Sequence, residues 1–170
     1  ILAASTTQID VTCNGANDGS IDLSVVGGTT PYSYLWTNAA VSEDISLLAP
    51  GTYTVTVTDD QGCTATASAT ITQPDVLSAS TTQIDVTCNG ADDGTITISN
   101  PIGGYGTYEF TIDGGTTWQA GLTFSGLTPG FYDIRIRDAA FTGCEITLDA
   151  ALEITEPAVL NATIAFTDVT

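Results

Sequence analysis

Ser5–Asn17 reads STTQIDVTCNGAN and Ser80–Asp92 reads STTQIDVTCNGAD, with twelve of thirteen positions alike at an offset of 75. A near-copy at a fixed distance marks a repeat architecture, in which each copy folds as one unit. The correspondence runs outward from this stretch. Gly27-Gly28 returns as Gly103-Gly104, Leu48-Ala49-Pro50-Gly51 as Leu127-Thr128-Pro129-Gly130, and Gly62-Cys63 as Gly143-Cys144. Thr72-Gln73-Pro74 returns as Thr155-Glu156-Pro157, by which point the offset has grown to 83. The second copy therefore carries extra loop residues. A third copy starts at the end: Val159-Leu160 repeats Val76-Leu77, and Asp168-Val169-Thr170 repeats the residues before Cys88. The expected division is residues 1–75, residues 76–158, and residues 159–170 as the first strand of a third repeat. The chain thus reads as a fragment of a longer array.

Within each copy the apolar residues alternate with polar ones. Ile21, Leu23 and Val25 do so, then Tyr32, Tyr34 and Trp36, then Tyr53, Val55 and Val57. The second copy repeats the pattern with Ile96 and Ile98, then Tyr108, Phe110 and Ile112, then Tyr132, Ile134 and Ile136. Ile146, Leu148, Ala150, Leu152 and Ile154 fall on one face of a last strand. Period two means one buried face and one wet face. Turn signals such as Asn14-Gly15, Asp18-Gly19 and Pro50-Gly51 separate the runs. The expectation is all-β: tandem immunoglobulin-like β-sandwich repeats, six or seven strands each, in an extended array. Tyr53 and Tyr132 each follow a Pro-Gly, where either a tyrosine corner or an ordinary core tyrosine would sit. No Gly/Ser linker separates the copies, so no free hinge is expected.

Composition removes whole classes of function. The 170 residues hold 20 acidic and 2 basic side chains, no His and no Met, for a net charge of −18. The basic pair is Arg135 and Arg137. Such a chain cannot line a groove that neutralises phosphates, so no nucleic acid is expected as a partner. Without His there is no Ser-His-Asp machinery. Without Lys there is no Schiff base and no isopeptide cross-link. No apolar run is long enough to span a bilayer, so no membrane insertion is expected. A carboxylate pair or oxygen-ligated Ca²⁺ remains chemically open.

The four cysteines fall two per copy: Cys13 and Cys63, then Cys88 and Cys144. Wide spacing and few ligands disfavour a metal site. The expected bonds are Cys13–Cys63 and Cys88–Cys144, each inside its own copy and worth about 4 kcal/mol in the chain-entropy model. They place the protein in an oxidising compartment.

The ordered set Cys13-Asn14-Gly15, Asp18-Gly19, Pro31–Trp36, Pro50–Asp59, Gly62-Cys63 and Gln73-Pro74 resembles the SprB repeat. The second copy resembles a longer variant, with Asp113–Trp118 and Arg135–Asp138. That repeat occurs in very large surface proteins of the Bacteroidota, among them mobile adhesins of gliding bacteria exported by type IX secretion. The resemblance implies a non-catalytic repeat of an extracellular cell-surface adhesin or filament. Its implied partners are neighbouring repeats and polysaccharide or solid surfaces. The alternative is a carbohydrate-binding or spacer module of a secreted hydrolase. No catalytic residue and no cofactor is carried over.

Several residues invite a site reading. Asp18 and Asp93 could ligate Ca²⁺, yet Asp-Gly is what a tight turn asks for. Asp59-Asp60 looks like a ligand pair, but the second copy has Asp138-Ala139 there. Trp36 aligns with Ile112 and reads as core. Trp118 lies in a Gly-rich insert of the second copy and is the candidate ligand-binding residue, as a sugar-stacking platform or as a cap on its own fold. Arg135 and Arg137 are expected to pair with neighbouring carboxylates.

Overall fold

The computed structural model describes residues 1–165. Twelve strands and no helix make up its regular structure. The first copy contributes β1 (Ala3–Ile9), β2 (Gly19–Val26), β3 (Ser33–Trp36), β4 (Ile45–Leu48), β5 (Gly51–Thr58) and β6 (Thr64–Ile71). The second contributes β7 (Ser78–Ile84), β8 (Gly94–Ile102), β9 (Tyr108–Thr111), β10 (Thr123–Leu127), β11 (Gly130–Asp138) and β12 (Glu145–Ile154).

The first copy forms two three-stranded sheets, ordered β1-β2-β4 and β3-β5-β6. β5 shows why the sequence folds this way. Its Thr, Tyr and Val side chains suit a pleated strand, because β-branched and aromatic groups pack well there. Val55 and Val57 are fully buried, while Thr54, Thr56 and Thr58, which alternate with them, are only half-buried. Val55 and Val57 share one core with Ile21 and Leu23 of β2, Trp36 of β3, Leu48 of β4 and Ile71 of β6. Both sheets therefore bury one face against the same cluster.

The second copy repeats the order, as β7-β8-β10 and β9-β11-β12. Ile96, Ile98, Ile134, Ile136 and Ile154 are buried to 1% exposure or less. The aromatic buried in β9 is Phe110, while Ile112, the residue aligned with Trp36 by sequence, is only half-buried. The alternation expected across Ile146–Ile154 also breaks. The β11–β12 register shifts twice, between Tyr132 and Ile134 and between Ile134 and Arg135. Ala150 is exposed as a result, and the Asp149 carboxylate accepts the Ala151 N–H at 3.0 Å at the irregularity. β5 and β6 pair without any shift from Gly51↔Ile71 to Thr58↔Thr64.

Tyr53 donates its hydroxyl to the Ala49 carbonyl at 3.0 Å, and Tyr132 donates to the Thr128 carbonyl at 2.8 Å. Each hydroxyl reaches back four residues to the backbone, as in a tyrosine corner.

The chain divides into two compact units. One comprises Ile1–Leu77 with the loops Ile102–Thr107 and Asp138–Cys144; the other comprises Ser78–Pro101, Tyr108–Arg137 and Glu145–Thr170. Two loops of the second sequence copy thus belong to the first structural unit. Residues 159–165, expected to open a third repeat, form no strand. The rest of that expected strand, with Asp168-Val169-Thr170, lies outside the described residues.

Candidate functional site

The most elaborated polar structure lies in the loops that carry the cysteines. Each copy has one such loop at each end. At the exit end, where the chain leaves, the loop before β2 is bonded to the segment after β6. The Asn14 amide donates to the Pro74 carbonyl at 2.9 Å, and the Gly15 N–H donates to Gln73 Oε1 at 2.9 Å. The second copy reproduces this loop, with Asn89 donating to the Pro157 carbonyl at 3.2 Å and Gly90 N–H to Glu156 at 2.9 Å. Cys13 and Cys88 sit in these exit loops.

Two carboxylates brace each exit loop. Asp18 accepts the Thr12 hydroxyl at 2.6 Å and the Thr12 N–H at 3.0 Å; Asp93 accepts the same pair from Thr87 at 2.6 and 2.9 Å. Those hydroxyl and N–H donors hold both carboxyls below the usual carboxylate range. Asp10 accepts from the Thr72 N–H and hydroxyl, both at 2.7 Å, and Asp85 accepts the Thr155 N–H at 2.8 Å. Asp10 and Asp85 are lowered for the same reason. Asp18 and Asp93 therefore act as turn acceptors.

At the entry end, where the chain arrives, a buried carboxylate organises the loop. Asp59 is 6% exposed and Asp138 is 0% exposed. Asp59 accepts N–H bonds from Gln61 at 3.0 Å, Cys63 at 2.8 Å and Thr29 at 3.0 Å. Burial pushes its carboxyl up, but the N–H groups of Cys63, Thr29 and Gln61 outweigh this and leave it lowered. Asp138 accepts from the N–H groups of Ala140 at 2.8 Å, Phe141 at 3.2 Å and Tyr105. The pair read by sequence as candidate Ca²⁺ ligands thus separates: Asp59 points at N–H donors, and Asp60 accepts from the Gln61 side chain at 3.2 Å. Among the described residues no group of three or more His, Cys, Asp or Glu is placed to hold a metal ion.

Both entry ends close on the incoming chain through a pair of glycines. A Cβ on Gly28 would lie 2.8 Å from Leu2 Cδ1 and 2.9 Å from Asp59 Oδ2. A Cβ on Gly104 would lie 2.5 Å from Asp138 Oδ2 and 2.9 Å from Leu77 Cδ2. Only glycine fits there, and φ is +67° and +56° at the two positions.

The disulfide found joins Cys13 to Cys144, with Cα atoms 5.4 Å apart and a sequence separation of 131. Cys63 and Cys88 are free and exposed. This corrects the expected Cys13–Cys63 and Cys88–Cys144 bonds. The reason is geometric. Cys63 adjoins the start of β6, whereas the loop of Cys13 is bonded to the residues just past its end. Eight strand residues at about 3.4 Å each put about 25 Å between those ends. A disulfide spans at most about 7 Å between Cα atoms. β12, with ten residues, likewise separates Cys144 from the exit loop of Cys88. The bond found lies within the first unit, because the loop Asp138–Cys144 belongs to it. Next to it Tyr105 donates its hydroxyl to the Val11 carbonyl at 2.8 Å, and its ring lies 4.9 Å from that of Phe141.

The SprB repeat profile matches residues 5–41 and 80–117. Two segments of the chain, one in each copy, are thus similar to the SprB repeat. The matched segments include the exit cysteines Cys13 and Cys88 and stop short of the entry cysteines Cys63 and Cys144. SprB repeats are structural modules of the kind found in cell-surface proteins. Comparison with curated proteins gives no match. No helix among the described residues is long and apolar enough to cross a membrane.

Trp118, the candidate ligand-binding residue, is half-buried in the second repeat. Its indole N–H donates to the Gly115 carbonyl at 3.0 Å, and the Arg137 guanidinium lies 4.1 Å from the ring centroid. A cation is thus already stacked on one face of the ring. Arg137 also pairs with Glu109 at 2.6 Å. Arg135 pairs with Asp133 at 2.7 Å and Glu145 at 3.1 Å, and these carboxylates raise its pKa, Asp133 foremost.

The same insert is organised by Asp113, whose Asp-Gly-Gly reads in sequence as a turn signal. Asp113 accepts the Thr117 hydroxyl at 2.6 Å and the N–H groups of Thr116 and Thr117, each at 2.9 Å. Burial pushes its carboxyl up, but the donors from Thr111, Thr117 and Thr116 prevail and lower it to about 2. The legible signal was the clustering of Thr around one Asp-Gly-Gly, a composition suited to a self-bonded turn.

Proposed function

We propose that the chain is a non-catalytic structural and adhesive module of a large extracellular cell-surface protein, built from immunoglobulin-like sandwiches in tandem. The match of both copies to the SprB repeat carries this reading. The strand order supports the fold: β1-β2-β4 opposite β3-β5-β6 has the pattern of strands A-B-E and C-F-G. The side chains considered for chemistry serve the scaffold instead. Asp18, Asp59, Asp93 and Asp113 each brace a turn, and Trp118 braces an insert.

Such a module supplies reach and repetition. Many weak contacts along one chain multiply into firm attachment, since each later contact is made at high effective concentration. The surfaces engaged are polysaccharides or solids, and a net charge of −18 keeps chains apart in solution. The test is retention of the purified chain on polysaccharide-coated beads and a glycan array, beside a reduced and unfolded control. Specific retention of the folded chain supports the adhesive role. Equal retention of both forms, or none, overturns it and leaves the modules as stalk.

A further inference from the structure

We infer that Cys63 and Cys88 are half-bonds, each completed by a disulfide to a second copy of this repeat. The bond already present shows the rule. Cys13, at the exit end of the first repeat, joins Cys144, in the entry loop of the second. Cys63 is the entry cysteine of the first repeat and Cys88 the exit cysteine of the second. Both are free and exposed. Neither can close within its own repeat, because a full strand separates entry end from exit end.

The loops around the free thiols match those around the bonded ones. At the exit ends, Val11 N–H donates to the Thr72 carbonyl at 3.3 Å and Val86 N–H to the Thr155 carbonyl at 3.2 Å. At the entry ends, the N–H of Asp59 donates to the Cys63 carbonyl and that of Asp138 to the Cys144 carbonyl, both at 2.9 Å. One difference matters. The Cys63 loop lacks counterparts of Tyr105 and Phe141, so docking there depends more on the covalent bond.

The chemistry is oxidation of two thiols. One sulfur–sulfur bond forms, and two protons and two electrons pass to a disulfide oxidant, which leaves as two thiols. In an array the rule gives two interleaved covalent paths. From Cys63 to Cys88 is 25 residues, at most about 90 Å of chain per pair of repeats when fully extended. Tension then passes through that short segment and bypasses the rest of both repeats. The inference rests on the disulfide and not on the adhesive reading, so either can fail alone.

The test mixes Cys63→Ser and Cys88→Ser variants of the whole chain in a glutathione redox buffer. Each variant keeps one free thiol and the Cys13–Cys144 bond. The cross-linked heterodimer, Cys88 to Cys63, should exceed each homodimer by about tenfold, where random pairing gives about twofold. Wild-type chain should form reducible linear multimers, and each variant alone should stop at dimers. A ratio near two, or no cross-linked dimer, overturns the inference. A C63S/C88S variant checks the parent bond. Cut after its only basic residues, Arg135 and Arg137, its two large pieces should stay joined until reduced. Separation without reductant also overturns it.

Discussion

The entry ends of the two repeats are built alike and end differently. Each has a buried aspartate that gathers N–H donors, a glycine pair against the incoming chain, and a cysteine just before the last strand. In the second repeat that cysteine is bonded and 9% exposed; in the first it is free and exposed. The local fold is thus complete without the disulfide, since the Asp59 loop closes with the same Asp N–H to Cys carbonyl bond and its carboxylate likewise gathers three N–H donors. The bond is a tie added to a finished loop. It also means that a repeat cannot be understood alone, because half of its cysteine chemistry belongs to another copy.

The sharpest test of that contrast removes each entry cysteine in turn. Cys144→Ser opens a 131-residue loop and should lower stability by about 5 kcal/mol in the chain-entropy model, read as a shift in the urea midpoint. Cys63→Ser removes an exposed, unbonded thiol and should change it by less than about 0.5 kcal/mol. Equal effects would mean that the two ends are equivalent after all. Next in size comes the carboxylate. Asp138→Ala strands the N–H groups of Tyr105, Ala140 and Phe141 and should cost about 3 kcal/mol. Asp59→Ala should cost less, because Asp59 is 6% exposed where Asp138 is fully buried, so water replaces the lost carboxylate more readily there.

The strands and the core were legible because period two survives any loop change. Val55 and Val57 in one repeat, and Ile134 and Ile136 in the other, could be placed inward from alternation alone. The same alternation carried a clue that went unused. Asp59 continues the parity of Val55 and Val57, and Asp138 that of Ile134 and Ile136, so both carboxylates were due to point inward. The cysteine pairing was not legible, for a topological reason. Four strands lie between Cys13 and Cys63, and a plain meander would bring the chain back to its starting end. β3 and β4 instead run the same way, each being antiparallel to the strand next to it in its own sheet. Residues 37–44 must therefore carry the chain back along the repeat. That one crossover sends the two cysteines to opposite ends. Trp118 was open in sequence between platform and cap, since only its neighbours decide which face is free.

Acid should also separate the repeats. Asp10, Asp18 and Asp59 in the first, and Asp85, Asp93 and Asp113 in the second, have lowered carboxyls. A carboxyl lowered by folding contributes fully above its unfolded value and loses that contribution as pH falls toward its folded value. Melting temperature should therefore hold down to about pH 4 and drop between about pH 4 and 2. Asp113, lowered to about 2, has no counterpart in the first repeat. Asp113→Asn should reduce melting temperature at neutral pH and make the acid slope shallower. An unchanged slope would show that the Asp113 hairpin is not linked to global unfolding.

The smallest difference concerns one residue in a bulge. β2 pairs Gly19 with Leu48 and Ser20 with Ser46, leaving Leu47 unpaired. β8 pairs Gly94 with Leu127 and Thr95 with Ser125, leaving Gly126 unpaired. Both residues adopt a left-handed backbone, with φ of 58° at Leu47 and 72° at Gly126. Leucine is strained there by about 1–2 kcal/mol, and its side chain recovers little at 80% exposure. Leu47→Gly relieves the strain but loosens the unfolded chain by about 0.5–1 kcal/mol, so it should stabilise by about 0.5 kcal/mol. Gly126→Leu should destabilise by about 1 kcal/mol. The cost there is backbone strain and not crowding, since an added Cβ meets only the Asp92 carbonyl oxygen at 3.8 Å. Opposite signs at matching positions would establish that the two repeats share one bulge and differ in how well each sequence fits it. A destabilised Leu47→Gly would instead give the exposed leucine a contact worth more than its strain, such as one to another repeat.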